Sequence, residues 1–589
     1  MTGNYRTYHI LRWLQSYLHK QGVRVQTAPY HAAAQATQLE LENFGDALCG
    51  SLSCLIYGAE RVIANFNWDT RKFTWVEKQK CLSKLGLNDE QFIDLALLSG
   101  LSLIAPPEQV ADTTIPMQTA RALLGRSNNN GLAACEMLKN DEYKTLFMKA
   151  RTAVRHGIVI DSHGEIKARE SATAPFDLHE VTSPRLSDEM YFYMSRGVAG
   201  PRALNWRTKA EIFESPPLDG GSSQAYQHMV SQKLAPLRTR SLALVTPHLH
   251  YYYRKHDVTI VPWYDESAAR QLNVPDVVAS DPTIASKKWR VKSELLSKAA
   301  SQVSPDTRVL GSPSSPDQVD LARTPFLFAV MLLSEDGVAS QTFNENTNSL
   351  QNTNELLVNT TLRFLEDRGY INSDHTLSAW GKALKAALDK AKSNGYLEAA
   401  GTPSEAEEAI FMAFELHRLD ALNTNQMFPA ATYLGAPMRG SETDKGHTLL
   451  LSRIACLGSF RHDEIGFTGP LSRHLLAYHQ MAAAVRGALR DLAEIHALNM
   501  LLSGAVSRDL KLTEYTDLGS NLPLLNEPDL GLALVVKSFL DEASNEQSKR
   551  ADIHNWFNHA HHIDSDLQKA WKMWGAVRAR VSSCIIEFC

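Results

Sequence analysis

Apolar periodicity switches repeatedly between helical and extended over the first 105 residues, and that alternation limits the fold more than any other feature of the chain. RTYHILRWLQSYLHKQG places Ile10, Leu11, Leu14 and Leu18 on one helical stripe, with Gly22 as its C-cap. VRVQTAP then reads as a strand, AAAQATQLELENFG as a helix, and Ala47, Leu48 and Cys49 as a further strand ending at the polar break Gly50 to Ser53. ERVIANFNW adds another strand, and NDEQFIDLALLSG a helix with Asn88 as N-cap. Strands and helices alternating at this spacing predict a parallel sheet with crossover connections. In such sheets the break beyond a strand's carboxyl end holds ligands and catalytic groups. The stretch CGSLSCLIYG is therefore the first candidate for a site, although it offers only Ser51 and Ser53.

A chain of 589 residues exceeds one core and predicts roughly three or four domains. Residues 106–170 read mostly helical, interrupted by the turn RSNNNG; 170–185 carry Pro and Ser and read as a linker; 186–300 form a second unit. The composition of 301–321 is that of a flexible linker, and 322–589 read almost entirely helical. The expected fold class is α/β followed by mostly α. Seven scattered cysteines without a C-x-x-C pair support neither a disulfide framework nor a zinc knuckle, which predicts a reducing compartment. The N-terminus lacks signal-peptide character, and no stretch approaches the ~18 apolar residues of a membrane span, so a cytosolic or nuclear protein is expected. A formal charge of -5 gives no global basic field, so any contact with nucleic acid must be local or borrowed from a partner.

Three blocks in order, APYHAAAQATQL, CGSLSCLIYGAERVI and FIDLALLSGLSLI, resemble the internal half of the XPG and flap-endonuclease family, a PIN-like nuclease fold. Active members carry two glutamates in the first block, two aspartates before a Leu-x-Phe-Gly in the second, and an aspartate soon after the Leu-x-Gly of the third. Such acids hold two Mg²⁺ ions against their hydration and place a water in line with the leaving oxygen. Here His31 and Ala33 stand at the glutamate positions, Ser51 and Ser53 at the aspartate positions, and Ser102 at the last. Asp46 and Asp94 lie nearby in sequence, but out of register. The resemblance thus implies a degenerate site, with no metal and no other cofactor expected. The run APPEQVADTTIPMQTARALLG lacks the paired glycines of the family's duplex-binding helix-hairpin. The chain also opens at the helix before the family's third strand, which implies a partial sheet and an N-terminally truncated chain.

Further segments resemble one branch of that superfamily, the Mkt-type post-transcriptional regulators. These are SDEMYFYMSRGVAGPRALNW, ESPPLDGGSSQAYQHMVSQKLAPLRTRSLALV, LRFLEDRGYINSDHTLSAWGKAL and GFTGPLSRHLLAYHQMAAAVRGALRDLAEI. The resemblance implies a PIN/XPG-like domain over 1–169, an Mkt-type central domain over 186–300 and an Mkt-type C-terminal helical domain over 322–589. It further implies a cytoplasmic scaffold for control of mRNA stability and translation. The partners implied are an ataxin-2-like protein, through it poly(A)-binding protein and mRNA, and an Lsm-type protein. A direct RNA-binding protein and a metal-dependent structure-specific nuclease are the alternatives.

Other stretches admit two readings each. LRFLEDRGYINSDHTLSAWGKALKAAL has the pattern of a winged-helix-like unit: a helix, a turn at Gly369, a short strand at Tyr370 and Ile371, and a Ser378-capped helix. Its second helix offers Lys382 and Lys385 against nearby acids, which favours a docking or structural role over nucleic-acid binding. In HLHYYYRKH, Tyr251, Tyr252 and Tyr253 with Arg254 and Lys255 could stack bases and meet phosphates. Alternatively its tyrosines pack inward and its cations close a helix. SKKWRVK is a weaker candidate of the same kind. His554, His559, His561 and His562, with Asp564 and Asp566, could approach a metal or form a solvated helix end. PPLDGG lacks the repeated glycines and the Lys of a P-loop and reads as a turn.

Overall fold

A computed structural model describes residues 21–111, 113–182, 184–214, 227–262, 264–274, 326–335, 353–393, 403–419, 473–506 and 512–522, with a few isolated positions besides. The chain divides into two compact units, one formed by 25–195 and the other by 1–24 with 196–589. The described residues are mostly helical with small sheets. No described helix is long and apolar enough to cross a membrane.

In the smaller unit α1 (Ala32–Leu41) leads to a 3₁₀ turn (Leu52–Tyr57), then to β1 (Arg61–Asn67) and β2 (Lys72–Glu77). Helices α2 (Lys78–Leu85), α3 (Asp89–Ser99), α4 (Glu108–Ala111), α5 (Pro116–Arg126), α6 (Gly131–Met137) and α7 (Asp141–His156) follow. The unit ends with β3 (Ile158–Ile160), β4 (Ile166–Ala168), α8 (Leu178–Val181) and α9 (Asp188–Ser195). Asn88 does cap α3: its side chain accepts the Gln91 N–H at 2.9 Å, and the Gln91 side chain returns to the Asn88 N–H. This helix is the centre of the core, with Leu95, Leu97 and Leu98 fully buried among Tyr57, Val62, Phe147 and Val154. Each such leucine contributes roughly 1.5–3 kcal/mol relative to exposure. In the Asn-rich turn, Asn128 and Asn129 take positive φ, and Asn130 caps α6.

Among the described residues of this unit the expected parallel sheet does not form. Residues 23–28 pair with no strand, and the Ala47–Cys49 stretch reduces to one parallel bridge between Cys49 and Ile63, with Ala47 and Cys49 exposed. β1 pairs antiparallel with β2, and β3 pairs antiparallel with β4. Two short hairpins replace crossovers because only four and five residues separate the paired strands, and parallel pairing needs a dozen or more. Gln35 ties α1 to β3 by imitating a strand. Its side-chain NH₂ donates to the Ile160 carbonyl at 2.9 Å and its carbonyl oxygen accepts the Ile160 N–H at 2.7 Å. Gln35→Leu keeps much of the volume but leaves both groups of a half-buried backbone position unmet. It is expected to cost about 1–2 kcal/mol, read as a lower unfolding midpoint of this unit, and Gln35→Glu should lose at least as much, because its second carboxylate oxygen cannot donate and would face the Ile160 carbonyl in a buried position.

The larger unit contains α10 (Arg202–Lys209), β5 (Glu211–Glu214), α11 (Ala235–Val245), α12 (Tyr251–Arg254), β6 (Val258–Pro262) and β7 (Arg270–Leu272). Its sheet has the order β5-β6-β7, the first pair parallel and the second antiparallel. Helices α13 (Phe326–Leu333), α14 (Thr353–Asp367), α15 (Ala379–Ser393), α16 (Pro403–Arg418), α17 (Arg473–Leu502) and α18 (Leu512–Asn521) complete it. Glu407 of α16 caps α13, its two carboxylate oxygens accepting the Leu327 and Phe328 N–H groups at 2.9 Å each. α17 packs against α11, α14 and α16, and every residue from 485 to 501 is buried. A helix enclosed all round must pair whatever polar groups it carries.

Candidate functional site

His31 ends the loop before α1 in extended conformation, and Ala33, in the first turn of that helix, faces the core. Ser51 caps the 3₁₀ turn: its Oγ accepts the Ser53 N–H at 3.2 Å and donates to the Ser53 Oγ at 3.0 Å. The polar break is therefore the N-terminus of a tight turn, entered from the Cys49 bridge. Tyr57, at the far end of the turn, stacks at 5.4 Å on the His31 ring, and His31 Nε2 lies 2.9 Å from Ser102 Oγ. Four of the five sequence-predicted positions thus engage one another in two pairs, His31 with Ser102 and Ser51 with Ser53. Ala33 is the fifth and takes no polar part.

The electrostatics of these positions are neutral. Burial lowers the His31 imidazole below its ordinary value, which favours the uncharged ring. The nearest acids by sequence are elsewhere or already engaged. Asp46 is exposed. Asp94, inside α3, accepts Arg151 Nε at 2.7 Å and the Gly131 N–H at 3.1 Å. Burial raises its carboxyl and Arg151 opposes the rise. Hydroxyls, an uncharged imidazole and an alanine do not fit a pair of hard divalent cations. Among the described residues no three His, Cys, Asp or Glu side chains gather as a metal site. The sequence did not single out Tyr57 or Arg169, whose guanidinium lies over the Tyr57 ring at 5.3 Å and bonds the Tyr57 carbonyl. Tyr57 had a signal in LIYG, which stands where the family has Leu-x-Phe-Gly, whereas Arg169 had none beyond its residue type.

The aromatic and basic stretch at 251–255 is divided by its short helix. Tyr253 is buried, while Tyr251 and Tyr252 are exposed. Arg254 donates to the Leu249 carbonyl at 2.8 Å and to the Pro247 carbonyl at 2.7 Å, and Lys255 lies 4.6 Å over the Tyr251 ring. The guanidinium therefore closes its own turn. Around Gly369 (φ +69) the helix-turn-helix elements form as expected, but the strand is a single bridge between Ile371 and Leu377. Ser378 Oγ accepts the Gly381 N–H at the start of α15, and Lys385 is paired with Glu335 and Asp389. The stretches SKKWRVK and PPLDGG and the histidines at 554–562 lie outside the described residues.

Buried polar groups on α17 hold the larger unit together. Arg490, fully buried, donates to Glu494 at 2.8 Å and to the Gly519 carbonyl at 2.8 Å, and also bonds the Leu522 carbonyl. Glu494 in turn accepts the Gly200 N–H at 2.6 Å, and Asp491 accepts Arg202 Nε at 2.8 Å. Gly519 has no room for a side chain, since a Cβ there would lie 2.1 Å from the Gly197 carbonyl oxygen. The segment before α10 is thus fastened to helices nearly 300 residues later.

Comparison with known proteins places two separate stretches of the chain in one family. Residues 175–264 and 363–584 match the N- and C-terminal models of one family, each described as a temperature dependent protein affecting M2 dsRNA replication. Together they span more than half of the chain. Residues 22–102 match the XPG I-region. The chain is 27% identical over 569 residues to the post-transcriptional regulator MKT1 of Cryptococcus neoformans var. grubii, covering 91% of this chain and 69% of that protein. It is 22% identical over 611 residues to the regulator of the same name from Schizosaccharomyces pombe, covering 92% and 72%. With the Saccharomyces cerevisiae regulator the identity is 19% over 624 residues, covering 92% and 71%. With both terminal models matched and these relatives aligned over nine-tenths of its length, the chain belongs to the MKT1 family of post-transcriptional regulators.

Proposed function

We propose that the chain acts as a non-catalytic, nuclease-like scaffold in post-transcriptional control of mRNA stability and translation. The observation that carries this reading is the chemistry of the five degenerate positions: Ser51 is spent on capping its turn, His31 is held toward its uncharged form, and no carboxylate replaces the acids a two-metal cut requires. On this reading 1–169 is a PIN-like remnant kept as a folding platform, and 362–388 is a winged-helix-like unit in a structural role, with Tyr370 fully buried and Lys385 engaged by acids. The scaffold works in the cytoplasm through an ataxin-2-like partner, poly(A)-binding protein and an Lsm-type protein.

Purified protein incubated with Mg²⁺ or Mn²⁺ and flap DNA or single-stranded RNA is expected to yield no cleavage above the no-enzyme control. Product rising in proportion to protein concentration would falsify the non-catalytic reading. Affinity purification with and without RNase tests the scaffold itself. Partners that survive RNase support it, and their loss points to recruitment through RNA.

A further inference from the structure

Side chains alternate along a strand, so Ile63 and Phe66, three residues apart in β1, belong on opposite faces of a regular ladder. The register of β1 against β2 shifts between Ile63 and Asn65, and a bulge of this kind turns Phe66 onto the face of Ile63. Across the ladder Trp75 stands opposite Ile63, and Phe73 opposite Phe66. Val62 and Val76 take the other face, against the core. Trp68, in the hairpin loop, packs at 4.4 Å on the Phe66 ring. The outcome is an outward aromatic face, with Trp68 81% exposed, Phe73 53% and Trp75 45%. Isolated exposed apolar residues are ordinary, but a contiguous aromatic face marks an interaction site.

Charge selects the partner. Residues 61–80 carry five cations, Arg61, Arg71, Lys72, Lys78 and Lys80, against the two carboxylates of Asp69 and Glu77, in a chain whose formal charge is -5. Lys78 pairs with Asp89, and Lys80 with Glu77. Arg71 and Lys72 end the hairpin, exposed, with no ion pair among the described residues. Arg61 and Lys80 lie over the Trp75 ring, 5.5 and 5.4 Å from its centre, so Trp75 holds positive charge on this face beside the open rings of Trp68 and Phe73. Rings flanked by cations on an open face match unpaired bases, which stack, and their phosphates, which meet the cations. A duplex hides its base faces, and an uncharged apolar peptide would leave the cations unanswered.

We propose that the outward face of the β1–β2 hairpin, Trp68, Phe73 and Trp75 with Arg61 and Arg71, binds single-stranded RNA. This contact goes beyond recruitment through protein partners and does not depend on it. The test is fluorescence anisotropy of labelled oligo(U) and oligo(A) with the full purified chain, at low and raised salt, in the absence of any other protein. Binding is expected at low salt, weakening as salt rises, with a duplex of the same length bound less tightly. The double variant Trp68→Ala, Phe73→Ala should bind about ten-fold or more weakly. Because both side chains are exposed, its melting curve should match the parent's. Arg254→Ala with Lys255→Ala should leave the affinity unchanged. Absence of binding at low salt, unchanged affinity in the double variant, or tighter binding of the duplex would overturn the proposal. So would a protein partner lost in the double variant, retained through RNase by the parent, in a chain that shows no RNA affinity. Failure of RNA binding leaves the RNase-resistant partners of the scaffold as they were, so the two readings fail separately.

Discussion

Arg490→Ala is expected to destabilise the larger unit by about 3–5 kcal/mol, the cost of removing one member of a buried ion pair. The guanidinium is wholly enclosed and reaches Glu494 and the carbonyls of Gly519 and Leu522 at once. Alanine removes the donor from all three and leaves Glu494 enclosed with its charge less well met. A cavity of arginine size adds to the loss. The effect should appear as a lower urea midpoint for the unit, and as early proteolysis near the 197–202 segment, which Glu494 and Asp491 fasten to α17. Arg490→Lys keeps the charge but cannot reach all three acceptors, so it should fall between parent and alanine. A midpoint for Arg490→Ala equal to the parent's would show that the network does not hold these segments together.

What could be read in advance divides along the range of the interactions involved. The Asn88 cap, the positive-φ asparagines of RSNNNG and the Ser378 cap are set by residues within a few positions of one another, and each forms as the local pattern requires. Strand partners are set at longer range. ERVIANFNW is a strand, but its partner is KFTWVE, an alternation of polar and aromatic residues just beyond a four-residue loop that the crossover reading passed over. The adjacency of His31 to Ser102 followed from the order of the three nuclease-like blocks, since no local pattern links positions 71 residues apart. The buried polar groups of α17 had no signal of their own. RGALRDLAEI reads as an ordinary exposed, charged helix until its neighbours enclose it. The aromatic face of the hairpin was hidden for a related reason, because the bulge that gathers it breaks the period by which strands are recognised.

Asp367 should make the larger unit sensitive to acid over a narrow window. It ends α14, and its Oδ2 accepts Arg240 Nε of α11 at 2.7 Å and faces His496 Nε2 of α17 at 2.8 Å, so one carboxylate joins three helices. Burial by itself raises this carboxyl, but the hydrogen bond and charge of His496, and then those of Arg240, outweigh it and bring it down to about 2. A carboxylate depressed from its unfolded value of about 3.9 adds stability that is complete above that value. The contribution is lost as pH falls through the folded value. The gap corresponds to about 2–3 kcal/mol at neutral pH. Asp367→Asn removes both the charge and its titration. Relative to the parent it should lose about 2–3 kcal/mol or more at pH 7, with the difference shrinking as pH falls from about 4 towards 2. Urea midpoints of parent and variant measured across that range give the test. Convergence of the two curves in acid assigns the dependence to Asp367, whereas curves that stay parallel would mean that the carboxylate is not depressed and that the three helices are held by packing alone.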